Sequence, residues 1–148
     1  MDPVVRAEQI GPMRVFAAWL PWPDWDKNDR LVPNAVRREK GGKLYFKEGE
    51  GMWKRSAAAR AYRLRVQAVV LPALPCAPWF VALPWEAYLT QVRPEGARAD
   101  VDHHAGVMDD LIACGLAESD RHCRALHLDA ETAPGEGGLW WFSRQRQT

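Results

Sequence analysis

Asp100 and Asp102 stand one residue apart in Ala99-Asp100-Val101-Asp102-His103-His104, and Asp109, Asp110 and Asp120 follow. No other stretch of the chain is as dense in possible metal ligands and acid–base groups. On extended backbone, carboxylates two residues apart project to the same side. Such a pair can hold a hard divalent cation that keeps several of its waters, as Mg²⁺ prefers. A helix N-terminus beside it adds positive potential that favours phosphate oxygens. The chemistry this allows is metal-assisted phosphodiester hydrolysis. The plainer reading of the same residues makes Asp102 a helix N-cap and Asp100 a surface carboxylate.

His103 and His104, with His122, Cys123 and His127, do not make a zinc site. Adjacent residues on a helix cannot both aim at one ion, His122 and His127 on a strand face opposite sides, and no CxxC accompanies them. GxSxG, Walker and GxGxxG patterns are absent, which sets aside nucleophilic and nucleotide-binding enzymes and any small-molecule cofactor.

The elements that must position these groups follow from hydrophobic period and punctuation. Met13 to Leu20 reads as a buried strand stopped by Pro21-Trp22-Pro23, and 24–42 as a long polar, basic loop. Lys43 to Lys47 suits a short edge strand. A helix is expected over 51–70, with Trp53, Ala57, Ala61, Leu64 and Ala68 as its apolar stripe and Lys54, Arg55, Arg60, Arg63 and Arg65 mainly outside it. A Pro-rich connector (71–84), ordered by its apolar residues, leads to a strand at Trp85 to Val92 and a turn at 93–96. A second helix is expected from His103 to Cys114, capped by Asp102, ended by Gly115 and burying Val107, Met108, Leu111 and Ile112. Strands at Arg121 to Ala130 and Leu139 to Ser143 complete a mixed α/β (α+β) fold.

With 148 residues, 47% of them apolar and 26% charged, the chain fits one domain, with 1–12 as an N-terminal extension and 144–148 as a tail. Eight tryptophans are many for this length and need a core or an interface, such as a dimer's, to cover them. From Lys27 to Arg65, 12 Lys/Arg stand against 4 Asp/Glu; from Val66 onward, 6 stand against 11. That asymmetry fits a polyanion held by one part and a cation by the other. Three cysteines without CxxC spacing, no signal peptide and prolines through the most apolar region point to a cytoplasmic protein with reduced thiols and no membrane span.

The order and spacing of these pieces resemble the RusA family of Holliday-junction resolvases, endonucleases common in prophages. The resemblance rests on three stretches: Leu20-Pro21-Trp22-Pro23 with Asn28; Lys43-Leu44-Tyr45-Phe46-Lys47-Glu48-Gly49 running into a helix with Tyr62; and Asp100-Val101-Asp102 followed by Met108-Asp109-Asp110-Leu111, Gly115 and Asp120. It implies a Mg²⁺-dependent endonuclease, with Mn²⁺ able to substitute, that resolves four-way junctions in recombination and repair as a homodimer. Asp100, Asp102 and Asp120 would be its catalytic metal ligands, and Arg37, Arg38, Lys43, Lys47, Lys54 and Arg55 its DNA contacts. The chain departs from the family at three points. The family's asparagine is His103, its paired final aspartates are Ser119-Asp120, and its active-site lysine falls at Ala105 or Gly106. Arg121, His103 and His104 are the candidates to supply that charge. One lost donor in such a site commonly removes on the order of 10²–10³ in rate. The alternative is therefore a RusA-like protein that binds branched DNA without cleaving it.

Overall fold

Along Met13–Pro21, Phe16, Ala18 and Leu20 turn to one side and are buried, while Val15 and Ala17 turn to the other. This period of two makes the segment a strand. The computed structural model describes residues 2–26, 30–33, 35–37, 44–46 and 53–145, with backbone alone at 32–33, 35–37, 44–46 and 53. In chain order the strands are β1 (Val4–Ile10), β2 (Met13–Pro21), β3 (Leu31–Pro33), β4 (Ala35–Arg37), β5 (Leu44–Phe46), β6 (Trp53–Arg55), β7 (Trp85–Arg93), β8 (Cys123–Thr132) and β9 (Gly138–Gln145). The helices are α1 (Ala57–Val70) and α2 (Val107–Ala113). Five strands form one sheet in the order β1-β2-β9-β7-β8; β7 and β8 run parallel and every other pair antiparallel.

Residues 1–12 are not simply an extension. Val4 to Ile10 pair along β2, from Val4 opposite Trp19 to Ile10 opposite Met13. The expected tail likewise begins too early, because Arg144 and Gln145 belong to β9. Gln145 is buried, and its Oε1 accepts from the Arg14 amide at 3.2 Å. The expected loop at 24–42 contains β3 and β4, which pair with β6 and β5 in two small ribbons. Three-residue strands are too short to leave a hydrophobic period. The edge strand expected at Lys43 to Lys47 is present as Leu44–Phe46.

The first helix starts later than its apolar pattern suggests. Trp53–Arg55 is strand β6, and Ser56 caps α1, its hydroxyl accepting from the Ala59 amide at 3.2 Å. The stripe is also rotated from the expected one. Ala59, Tyr62, Val66 and Val70 are buried, whereas Ala57, Ala61 and Ala68 are exposed and Leu64 is 66% exposed. The large Tyr62 ring decides the rotation, because its hydroxyl donates to the Pro21 carbonyl at 2.8 Å and its ring meets Trp25 edge-on.

Both helices share one core with a single face of the sheet: Phe16, Ala18, Leu20, Ala87, Leu89, Leu139 and Trp141 from the strands, Val66 and Val70 from α1, Val107 and Leu111 from α2. Full burial of a side chain such as Leu111 is worth about 1.5–3 kcal/mol. The connector 71–84 is held by apolar residues as expected. Trp79 and Phe80 are buried, the Trp79 indole donates to the Val15 carbonyl at 3.0 Å, and Phe80 stacks on Trp85. The whole is a single α+β domain. All three cysteines are free, and no helix among the described residues is long and apolar enough to cross a membrane.

Candidate nucleic-acid interface

Because β7 and β8 are parallel, the chain must cross over between them, and the crossover (94–122) carries the acidic stretch. It leaves β7 at Arg93, turns at Pro94 to Ala97 and then advances through successive tight turns. The amides of His103, Ala105 and Val107 donate to the carbonyls of Asp100, Asp102 and His104 at 3.0–3.1 Å. Only at Val107 does α2 begin, with Gly106 in the cap position and no side-chain cap. Asp102 is therefore not the N-cap, and the helix is seven residues long rather than starting at His103. It ends as expected at Gly115, whose φ of 109° favours glycine and whose Cβ would lie 2.9 Å from that of Ala77.

Gln91, fully buried on β7, ties down this loop. Its Nε2 donates to the carbonyls of Asp100 (2.7 Å) and Val101 (2.6 Å), and its Oε1 accepts from the His104 amide (3.0 Å). The Asp100–His104 backbone is thereby fixed to the sheet. Beside it, at the ends of β7 and β8, lies a cavity of about 500 Å³ lined by Arg93, Arg98, Asp100, His103 and Thr132 among others. Two guanidiniums, a carboxylate and an imidazole thus meet one space. Arg93 Nε is buried without a hydrogen-bond partner among the described residues, and His103 Nε2 lies 3.0 Å from Asp26 Oδ1.

A second charged cluster stands on the α1 side of α2. Asp110 is fully buried, and its Oδ1 accepts from Arg55 (3.2 Å) and Arg63 (2.9 Å). Asp109 pairs with Arg30 at 2.9 Å. Burial pushes the Asp110 carboxyl up, against the pull of Arg63, Arg55 and Arg30. Burial, then the neighbouring Arg30 and Arg63, lowers Arg55, with Asp110 and Asp109 opposing. Three arginines so close, with two carboxylates between them, leave one net positive charge at a half-open surface. Arg30 also covers Gly106. Its Nη2 reaches the Gly106 carbonyl at 3.4 Å, and a Cβ at 106 would lie 3.1 Å from its Cζ and Nε.

The expected ligands separate. Asp100 and Asp102 lie in the exposed turns of the crossover, whereas Asp120 opens the single 3₁₀ turn Asp120–His122 ahead of β8. Among the described residues no three His, Cys, Asp or Glu side chains are grouped to hold a metal ion, so these aspartates do not converge on one. A Mg²⁺ ion held here would have to take fewer of these carboxylates than the three that the resemblance implies. Of the expected DNA contacts, Lys54 is exposed on β6, Arg55 is turned toward Asp110 and Arg37 lies on β4. Arg38, Lys43 and Lys47 fall outside the described residues.

His104 is a core residue. It packs edge-on against Trp22, Trp25 and His103 with ring centroids 4.5–4.9 Å away, and neither ring nitrogen has a hydrogen-bond partner among the described residues. Desolvation, helped by nearby His103, pushes its pKa down to about 3. Local spacing pointed to none of Arg30, Gln91, Arg93 and Arg98: Arg30 meets Gly106 across 76 residues, whereas Arg93 and Arg98 flank the turn just before Asp100 and carry no motif that marks them. No model of a known protein family matches the chain, and no curated protein matches it.

Proposed function

We propose that this chain binds branched DNA, such as a four-way junction, as a homodimer and without cleaving it. The observation that carries this reading is the cavity where Arg93 and Arg98 stand beside the pinned Asp100–His103 loop. A phosphate held there would meet two guanidiniums, which suit its oxygens better than point charges do. The basic Lys27–Arg65 stretch and the order of the three motifs agree with a polyanionic partner. Against turnover stands the separation of the three aspartates. The test is a mobility-shift titration of the full chain with a four-way junction and a linear duplex of equal length across salt concentrations. Junction preference with a steep salt slope is expected, and Arg98→Ala should reduce that slope by about 0.9, one phosphate contact. Equal affinity for junction and duplex, or a slope untouched by Arg98→Ala, contradicts the reading.

A second reading keeps the endonuclease, with Mg²⁺ or Mn²⁺. It is favoured by one observation: Arg30 brings a guanidinium to Gly106, where the resemblance puts the missing lysine. Metal-dependent nicking of the junction that is lost in Asp100→Asn and Asp102→Asn would establish it. Absence of nicking with either cation leaves binding alone.

A further inference from the structure

The Arg93–Arg98 cavity has a counterpart of opposite charge across the sheet. Successive residues of a strand face opposite sides, so Arg93 and Thr132 look toward the crossover while Val92 and Glu131 look away from it. There, between the sheet and the turn at 133–137, lies a cavity of about 480 Å³ lined by Trp19, Val92, Glu131, Pro134, Glu136 and Trp140 among others. That volume falls within the range of small-ligand sites.

Its walls are aromatic and held in place. Trp19 and Trp140 stand opposite each other on β2 and β9, with ring centroids 4.7 Å apart and planes at 49°. Trp19 is 7% exposed and leans over Gly138, where a Cβ would overlap its Cζ2, so glycine there makes room for the back wall. Trp140, 45% exposed, is the open wall. The rim is seated on the end of β7. The Ala133 amide donates to the Arg93 carbonyl at 3.1 Å, and Gly137, at φ 71°, lies where a Cβ would overlap the Val92 carbonyl.

The charge of the cavity is one-sided. Glu131 and Glu136 are exposed at its rim, and neither makes an ion pair among the described residues. No Lys, Arg or His among the described residues lines it. The two carboxylates therefore stand unneutralised, and the face of each indole adds negative potential. A cation is the matching occupant, and the walls select its kind. A hard metal ion needs several oxygen ligands and gains little from indoles. Two rings already in contact leave no slot between them in which a flat guanidinium could stack, but their tilt makes a corner. A rounded ammonium that carries methyl groups fits a corner. Its methyls meet the indoles, Val92 and Pro134, while its charge is felt by both glutamates.

We propose that the cavity between Trp19, Trp140, Glu131 and Glu136 binds a trimethylammonium group, carried by a free small cation or by a trimethylated lysine side chain. This goes beyond DNA binding and does not depend on it. The test is an NMR titration of the isotope-labelled full chain with choline chloride, against sodium chloride at equal ionic strength, read at the assigned indole N–H signals. A saturable shift at Trp140 is expected, with a Kd of about 1–10 mM for a site open to solvent. The neutral tert-butyl analogue of choline has the same shape without the charge and should bind at least about tenfold more weakly. Trp140→Leu and Glu136→Gln should each weaken choline binding at least about threefold, with a dispersed amide spectrum confirming the fold of each variant. A peptide with one trimethyllysine, set beside its unmodified twin, separates the sources. Tighter binding than choline, lost without the methyls, assigns a modified chain, and binding no tighter than choline assigns the free cation. No saturable shift, equal binding of the neutral analogue, or choline affinity unchanged in both variants overturns the proposal, whatever the junction assay shows.

Discussion

Arg30 and Gly106 occupy adjoining space: a Cβ at 106 would sit 3.1 Å from the guanidinium carbon. The Gly106 backbone, at φ −63° and ψ −9°, suits any L residue, so it is the Arg30 side chain and not the backbone that crowds a larger residue here. Arg30 is held in place by Asp109 at 2.9 Å and by its position over the Trp25 ring. A long side chain at 106 and an arginine at 30 therefore compete for the same space. Gly106→Leu is expected to destabilise the protein, and to do so less in an Arg30→Ala background. Urea unfolding of the two single variants and the double variant should give a coupling of about 1 kcal/mol. Strictly additive effects would mean that the two side chains do not compete.

His104 makes stability depend on pH. Its folded pKa is about 3 against an ordinary 6.5, so between those values the unfolded chain binds a proton that the folded chain refuses. Stability then rises with pH through that window and is lost as pH falls from 6.5 toward 3. At pH 5 the loss from this one residue is about 2 kcal/mol relative to pH 7. His104→Phe keeps a ring among Trp22, Trp25 and His103 but cannot titrate. Urea midpoints at pH 7 and pH 5 should converge for this variant and separate for the wild type. Equal separation in both would assign the pH dependence elsewhere.

Asp110 holds Arg55 and Arg63 with one oxygen, and its Oδ2 is buried without a partner among the described residues. Removing the charge leaves two guanidiniums facing each other, though both retain some contact with water, which reduces the cost below that of a fully buried pair. Asp110→Asn is expected to lower stability by about 2 kcal/mol. Arg55→Met should cost less, because Arg63 still pairs with the carboxylate. Denaturant unfolding of the two variants ranks them, and the reverse order would show that Arg55 is the principal partner.

The long strands were legible as short segments between turn residues, Met13 to Leu20 as an apolar run and Arg121 to Ala130 by its alternation. β1 was not, since VVRAEQI turns only Val5 and Ala7 inward and both are small. The α1 stripe was misread because alanines counted as much as Tyr62 and Val66, whereas burial follows the larger side chains. At the site, the stretch from Asp100 to His104 was visible as a chemical cluster. Its actual neighbours were not, because Arg30 meets Gly106 across 76 residues and Arg63 meets Asp110 across 47. Asp100 and Asp102 were placed on extended backbone, but the chain there turns with i to i+3 hydrogen bonds, which removes the same-side argument.

Gln91 is the link between sheet and site, and it can be tested apart from any activity. Its amide makes three hydrogen bonds to the Asp100–His104 backbone, from a side chain with no exposure. Gln91→Met conserves approximate volume but leaves the Asp100 and Val101 carbonyls and the His104 amide without that partner. At about 1 kcal/mol per bond, and more for the buried amide, the expected loss is about 2–4 kcal/mol. The loss should be felt locally as well. Hydrogen exchange at the His104 amide should accelerate far more than exchange in β2 or β9, because the crossover loop opens before the sheet does. If exchange rises equally throughout, Gln91 acts only on the core, and the fixed geometry of the Arg93–Arg98 cavity has another source.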